Sequence, residues 1–468
     1  MRDDRRVTIL IEGFDPDAVA LARLLAGEGD TVRLASPAAA PESAAALREL
    51  GIQVEPGADL DADPGPAEIA YLDAWTPEVA PRVRRLRAQG TRVSCLGDLL
   101  LERWDGPSIG ITGTAGKTTT TGLTAAILRQ AGIDAVVSRG ARAGNLWPTA
   151  DLLDRLEPGP GPPTGTSRSD ALAPVLLLEL TSSHLAFMSH SPTIAAVVSF
   201  WPDHLELHGD LARYRGAKET IVRHQRAGDT VVVNADDAAA GFVTSTPADR
   251  IEFSLRRPVA HGAFLDPPRG VVLVGPAGET VLGPLHTEAA HPGNVVAAAA
   301  VATAAGACPE VVGPGLRAAP ALRWRAQAAG TLAGVPVVDD GMAATPRKAA
   351  ATLARFPDRS IVLIAGGLGD AGGGPVHAAP EERELLERAC DEIARAARVV
   401  ILFGEAGARL TVLLGRRRVE LIEAADLPGA VAAAARCAPG AAAVVFSPLF
   451  PVSLDDRARF AALVGHSR

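Results

Sequence analysis

Residues 110–120 read GITGTAGKTTT, and each residue type in that run suits a task in holding a phosphate chain. Small residues let backbone N–H groups come close to phosphate oxygens, with the positive end of a following helix behind them. Lys117 offers a point charge for the terminal phosphates, and Thr118 offers a hydroxyl suited to Mg²⁺. Gly113, Thr114, Ala115, Gly116, Lys117, Thr118 and Thr119 are therefore the candidate nucleotide-binding residues. The spacing is not that of the usual P-loop, because Ile111 stands five residues before Gly116 where a glycine is expected. Further on, Glu179 opens ELTSSH at 179–184, and His204 lies in FWPDHLELHG at 200–209, each at the end of an apolar run. A carboxylate and a histidine at that edge, facing Thr118, would suit Mg²⁺ on a triphosphate. Alone, His204 reads equally as a satisfied core or loop histidine, and Lys218, in the helical stretch YRGAKE, reads as a solvated surface lysine.

These residues must be positioned by strands and helices, and the pattern supplies them. A short apolar run precedes the glycine loop, Leu123 and Ile127 follow four apart, and Gly132 ends the segment: strand, loop, helix. A chain of 468 residues exceeds one ordinary core and gives a prior of about three domains. Strand signals at 7–11 and 31–34 enclose a helical one at 17–25. The turn between the first two is Gly-Phe-Asp-Pro, not a dinucleotide fingerprint. The runs 175–180 and 194–200 are continuously apolar, as in strands covered on both faces; 214–225 reads as a helix and 230–234 as a strand. Strand signals return at 335–340, 360–365, 399–403 and 443–447, and Thr345-Pro346 reads as a helix start. The expected fold is α/β with three domains in series. These are an N-terminal Rossmann-like domain (1–104), a central P-loop ATPase-type parallel-sheet domain (105–319) and a C-terminal Rossmann-like domain (320–468). A Pro/Gly/Ser-rich insert at 155–174 reads as a surface loop.

Composition excludes several functions. A net charge of −8 argues against a nucleic-acid binder, which carries a basic face. No apolar stretch is long enough to span a membrane, and the N-terminal apolar run is too short for a signal peptide. Cys95, Cys308, Cys390 and Cys437 are scattered, so buried free thiols in a reducing cytoplasm are expected. A cytoplasmic monomer is the default.

The ordered set GITGTAGKTTT, ELTSSH, DHLELHG with Lys218, and VVNADD at 232–237 resembles the Mur ligase family, the ATP-dependent enzymes that add amino acids to the UDP-linked muramoyl precursor of bacterial cell wall. The resemblance continues through AHPGNVVAAAA, LRWRAQ, DDGMAATP, IVLIAGG and VVFSP, and is strongest to the glutamate-adding branch. It implies that UDP-N-acetylmuramoyl-L-alanine and glutamate are the substrates, with ATP and two Mg²⁺ ions. It implies that Lys117 and the loop bind phosphates, that Thr118 and Glu179 serve one metal, and that His204 and a carbamylated Lys218 serve the second. Asn294 matches an adenine-contacting asparagine, Arg325 an arginine near the triphosphate, and Asp340 a nucleotide-facing aspartate. Asn145, paired with Gly144, matches the muramoyl side, and Thr181, Ser182, His184, Thr345 and Ser447 fall in the motifs that line the remaining substrate site.

The departures fall near the incoming amino acid. Met342 stands where D-glutamate-adding ligases carry lysine, and Leu368-Gly-Asp370 replaces a second lysine. A divergent branch that adds L-glutamate also lacks the first lysine, so either enantiomer fits. Trp324 replaces a common histidine, and His184 a common glutamine. Two alternatives remain beside the glutamate ligase: another amino-acid ligase of the superfamily, such as a folylpolyglutamate synthetase, and a P-loop protein that binds ATP without catalysis.

Overall fold

The computed structural model describes residues 6–36, 41–57, 59, 65–138, 145–156, 173–284, 290–368 and 380–465. The insert expected as a surface loop at 155–174 lies almost entirely outside them, as do Gly144 and Asp370. The chain forms two compact units, 1–286 with 292–319, and 287–291 with 320–468. Among the described residues no helix is long and apolar enough to cross a membrane.

The first unit contains two sheets. Strands β1 (Thr8–Glu12), β2 (Thr31–Ser36), β3 (Gln53–Pro56), β4 (Ile69–Tyr71) and β5 (Arg92–Ser94) form an all-parallel sheet of order β3-β2-β1-β4-β5. The second sheet comprises β6 (Ser108–Thr112), β7 (Ala135–Val136), β8 (Val175–Glu179), β9 (Ile194–Val197), β10 (Thr230–Asn234), β11 (Asp249–Ser254), β12 (Gly262–Asp266), β13 (Gly270–Gly275) and β14 (Gly278–Gly283), ordered β14-β13-β12-β11-β10-β9-β6-β8-β7. It is parallel from β7 to β12, and β12–β14 close it as an antiparallel meander. Every residue of β6 and β8 is buried, which explains their continuous apolar sequences. Strand order reverses at β6, which pairs with both β8 and β9, and ligands of open α/β sheets bind at such a reversal beyond the carboxyl ends.

The second unit holds one sheet of β15 (Gln327–Leu332), β16 (Val335–Asp339), β17 (Ile361–Gly366), β18 (Ala397–Phe403), β19 (Glu420–Ala424) and β20 (Ala443–Leu449), ordered β15-β16-β20-β17-β18-β19. Only the β15–β16 edge hairpin is antiparallel. Its two faces bury separate apolar clusters, one around Phe446 and Phe460 and one around Leu363 and Leu402. The thiols are only partly as expected: Cys95 and Cys390 are buried, but Cys308 is exposed at the start of a helix and Cys437 is half-buried at the end of another.

A buried carboxylate ties the two sheets of the first unit together. Asp98, on the helix Leu96–Arg103, is fully buried and accepts from Ser94 Oγ (2.8 Å), Ser189 N (2.8 Å), Ser189 Oγ (3.0 Å), His190 N (2.9 Å) and lies 3.0 Å from His190 Nδ1. Burial opposes the Asp98 charge, but His190 and the surrounding donors outweigh it and hold the carboxyl below 3.8, while Asp98 lifts His190 above 6.5. An acid held low contributes stability that is lost as pH falls through its folded value, and a histidine held high contributes stability that is lost as pH rises through its own. The pair therefore contributes fully between about pH 4 and 6.5. Asp98→Ala should cost about 3 kcal/mol in denaturant unfolding at pH 6. In the His190→Gln protein, the fall in stability above neutral pH should flatten.

Candidate active site

The loop between β6 and the helix Lys117–Gln130 is shaped by its glycines and by Ser199. Gly116 has φ +85°, a left-handed conformation, and a side chain there would strike Asn294 Oδ1. Asn294, on the helix Pro292–Ala304, is thereby placed directly over the loop. Thr114 N donates to Ser199 O at 3.0 Å, and Ser199 Oγ bonds both Ala115 N (3.0 Å) and Ala115 O (2.9 Å). The loop is thus clamped from the end of β9, with Lys117, Thr118 and Thr119 in the first helical turn.

Two ammonium groups converge on it. Lys117 Nζ donates to Gly113 O at 2.9 Å, and Lys218 Nζ donates to the same oxygen at 3.1 Å and to Thr112 Oγ1 at 3.4 Å. Lys218 is 1% exposed, which overturns the solvated surface lysine that its segment suggests in isolation. It sits on the helix Leu211–Arg223, one turn after Tyr214, whose ring centroid lies 5.0 Å from Nζ.

The carboxylate edge is equally compact. Glu179, fully buried at the end of β8, has Oε1 2.8 Å from Thr118 Oγ1 and accepts from Leu146 N on Oε2 at 2.7 Å. Asn145 Oδ1 lies 3.1 Å from the same threonine hydroxyl. Thr118, Glu179 and Asn145 form an all-oxygen set of the kind Mg²⁺ takes. Among the described residues no three His, Cys, Asp or Glu side chains gather closely enough to hold a metal by themselves. Mg²⁺ needs no such cage, since it is held through one or two carboxylates, phosphate oxygens and water.

Tyr214 stands in the same motif as Lys218, and reading that motif for chemistry gave it no role. It is fully buried, its hydroxyl lies 2.9 Å from Thr114 Oγ1, and its ring neighbours those of His204 (6.3 Å) and His208 (5.4 Å). Its four-residue spacing from Lys218 was the available signal, since it puts both on one helix face. His204 occupies a left-handed conformation (φ +53°) that costs a residue with a Cβ on the order of 1 kcal/mol, the kind of strain that collects at functional sites. Thr181 caps the short helix Ser182–Leu185 by accepting from His184 N at 3.2 Å, and Ser182 Oγ meets His208 Nε2 at 3.0 Å. The ELTSSH and DHLELHG segments are thereby joined through His208 and Tyr214 to the phosphate loop. His184 is buried, edge-on to Trp147 at 5.7 Å, and helps line a narrow cleft with Glu12, Asp15, Asp17 and Asp73. The first helix beside that cleft spends its amides internally: Asp15 accepts from Asp17 N and Ala18 N, both at 2.9 Å.

The second unit presents its own cluster. Asp340 is buried after β16, accepts from Ala326 N (3.1 Å) and Ser447 Oγ (3.1 Å), and burial pushes its carboxyl up to about 7. Burial likewise raises neighbouring Asp339 to about 6. Half-buried Arg325 stands between two left-handed residues, Trp324 (φ +61°) and Ala326 (φ +48°). Thr345 is at the start of the helix Pro346–Leu353. Leu368 is exposed, its N–H bonded to Pro451 O at 2.9 Å.

Residues 111–260 match the model of the Mur ligase middle domain. Two curated relatives, each named UDP-N-acetylmuramoylalanine–D-glutamate ligase, are 33% identical to this chain. That of Frankia casuarinae covers 94% of this chain and 88% of its own length, and that of Roseiflexus sp. covers 78% of both. Among solved structures, UDP-N-acetylmuramate–alanine ligase of Thermotoga maritima superposes with a TM-score of 0.59 at 20% identity, over 99% of this chain and all of its own. The Acinetobacter baumannii ligase MurF superposes at 0.57 and 18% identity, over 84% and 90%.

Gly116→Ala should weaken ADP binding in titration calorimetry by about tenfold or more, from backbone strain of order 1–2 kcal/mol and the collision with Asn294; equal affinity would show the loop free to relax. For Asp340, a folded value near 7 against 3.8 unfolded means that its contribution declines as pH rises between those values and is level above. Asp340→Asn should therefore raise the melting temperature relative to the parent at pH 8 but much less at pH 5.

Proposed function

The chain belongs to the Mur ligase family, whose members are ATP-dependent, ADP-forming amide ligases, and on that premise we propose that it joins glutamate to UDP-N-acetylmuramoyl-L-alanine in peptidoglycan precursor synthesis. The observation that carries this reading is the Thr118–Glu179–Asn145 cluster standing at the phosphate loop where Lys117 and Lys218 converge. A nucleotide-binding module needs the loop and a carboxylate for Mg²⁺; it does not need a second, buried lysine beside them.

In this reading residues 105–319 bind ATP, residues 1–104 the muramoyl nucleotide and residues 320–468 the amino acid. Lys117 and the loop amides hold the β- and γ-phosphates, with Asn294 at the base side of the loop. Mg²⁺ fits at Thr118 and Glu179, where it would supply charge neutralisation of the triphosphate. Lys218, as a carbamate, would add a second anionic ligand together with His204. Carbamate formation bonds the lysine nitrogen to the carbon of CO₂ with release of two protons from the ammonium, replacing a cation beside Lys117 with an anion.

The L-alanyl carboxylate oxygen forms a bond to the γ-phosphorus as the bond to the ADP oxygen breaks. Lys117 offsets the charge that gathers on the transferred group. The glutamate amine then attacks the acyl phosphate carbon, loses a proton, and expels phosphate to leave the amide. An acyl phosphate hydrolyses readily, so the reacting carboxylate must be shielded from water; Glu179 and Leu180, at the end of β8, are themselves fully buried.

The test is ADP release measured with UDP-N-acetylmuramoyl-L-alanine and D- or L-glutamate in parallel. Turnover requiring all three substrates is expected with one enantiomer, and no turnover with either would overturn the reading. Lys218→Ala should lower kcat by on the order of 10²–10³-fold, with partial recovery in a short carboxylate; full activity of that variant would eliminate the carbamate.

A further inference from the structure

Arg457 belongs to the helix Leu454–Gly465, and its side chain crosses the turn that follows β16. It is 9% exposed. Its Nη1 donates to the Met342 sulfur at 2.9 Å, and its guanidinium carbon lies 5.9 Å from the Trp324 ring. Its stem passes close over Gly341: a β-carbon there would touch Arg457 Cγ at 3.5 Å and crowd Asp339 Oδ1 and the Phe446 ring at 3.2 Å each. Among the described residues Arg457 closes no ion pair, and its buried Nε has no hydrogen-bond partner. Burial lowers the proton affinity of the guanidinium, and Asp339 opposes this without reaching salt-bridge distance.

A guanidinium keeps its charge in any protein environment, and a buried charge without a counter-ion is costly. A thioether is a weak, neutral acceptor, so Met342 positions the group without neutralising it. What the guanidinium lacks is a carboxylate at hydrogen-bonding distance, and the planar fork matches a carboxylate two bonds at a time. Met342 is also the position at which D-glutamate-adding ligases carry a lysine, so the second substrate would otherwise lose a cation.

We propose that Arg457 supplies the positive charge that Met342 does not, by binding a carboxylate of the incoming amino acid. The inference rests on the glutamate-adding reading above. Its test is steady-state kinetics on the full chain with UDP-N-acetylmuramoyl-L-alanine, ATP and the active glutamate enantiomer. Arg457→Met should raise the KM for glutamate on the order of 30-fold, with the KM values of ATP and of the muramoyl substrate within about twofold of the parent. Adding Met342→Lys to that variant should recover much of the loss, which a purely structural arginine would not allow. A rise in the KM for ATP instead would assign the guanidinium to a phosphate and overturn the proposal, as would an unchanged glutamate KM in a protein that merely melts earlier. If Arg457→Met does not fold, Arg457→Lys decides: a glutamate KM raised about tenfold supports the proposal, and an unchanged one overturns it. Failure of the parent chain to use either enantiomer overturns both readings and is seen before any variant is made.

Discussion

One backbone oxygen, that of Gly113, accepts from two lysines, and much of the first unit can be read as the means of arranging this. The two nitrogens are within about 6 Å of each other, in a place where burial weakens screening. Like charges so close are tolerable only if anions are brought in or one charge is exchanged. A triphosphate would do the first, and the carbamate proposed for Lys218 would do the second. Gly113 itself must be small, since a side chain there would strike Val198 and the backbone of Ala115 and Ser199. The loop is therefore pinned to the end of β9, and β6 is held between β8 and β9 so that the carbonyl faces the two helices carrying the lysines.

Tyr214 gives this arrangement its stiffness. Its ring is stacked on Phe200 at 5.4 Å and its hydroxyl reaches Thr114, so the loop, the β9 extension and the Leu211–Arg223 helix are fixed relative to one another. Polar side chains that touch a packed aromatic lose little further freedom on binding a ligand, which is how a site is held ready for charge. The Asp98 network extends the same rigidity to the N-terminal sheet, and Trp75 adds a bond from Nε1 to Leu207 O at 3.2 Å, close behind His204 in sequence.

The sequence showed elements that are buried on both faces and concealed those that are not. The strand Thr230–Asn234 was legible to the residue and β8 to within one, because each is a run of apolar residues ended by polar ones; β6 was legible only as a short apolar run before the loop. In the meander β12–β14 the last strand gave no such signal: half of Gly278–Gly283 is exposed and carries little apolar pattern, whereas the buried GVVLVG of β13 was a signal left unread. For the site, the glycine loop announced itself through residue types whose spacing has few other uses. Lys218 did not, since nothing local distinguishes a buried lysine from a surface one; only the sheet order, which brings its helix behind β6, makes its burial visible. Tyr214 was hidden for the same reason: its partners, Thr114, Phe200 and His208, are joined to it by topology rather than by proximity in sequence.

The second unit poses the opposite electrostatic problem. Adjacent Asp339 and Asp340 are both buried, each raised above the ordinary carboxylate range, and Asp340 is further raised by its neighbour. Met342 gives this pair no charge, and the cations that act on Asp339 are Arg457, whose stem passes Gly341 at van der Waals distance, and Arg323. The left-handed conformations at Trp324 and Ala326 serve the same end, one turning the indole toward Arg457 and the other aiming an N–H at Asp340. A glycine, an indole and an arginine on the last helix are thus arranged around Met342.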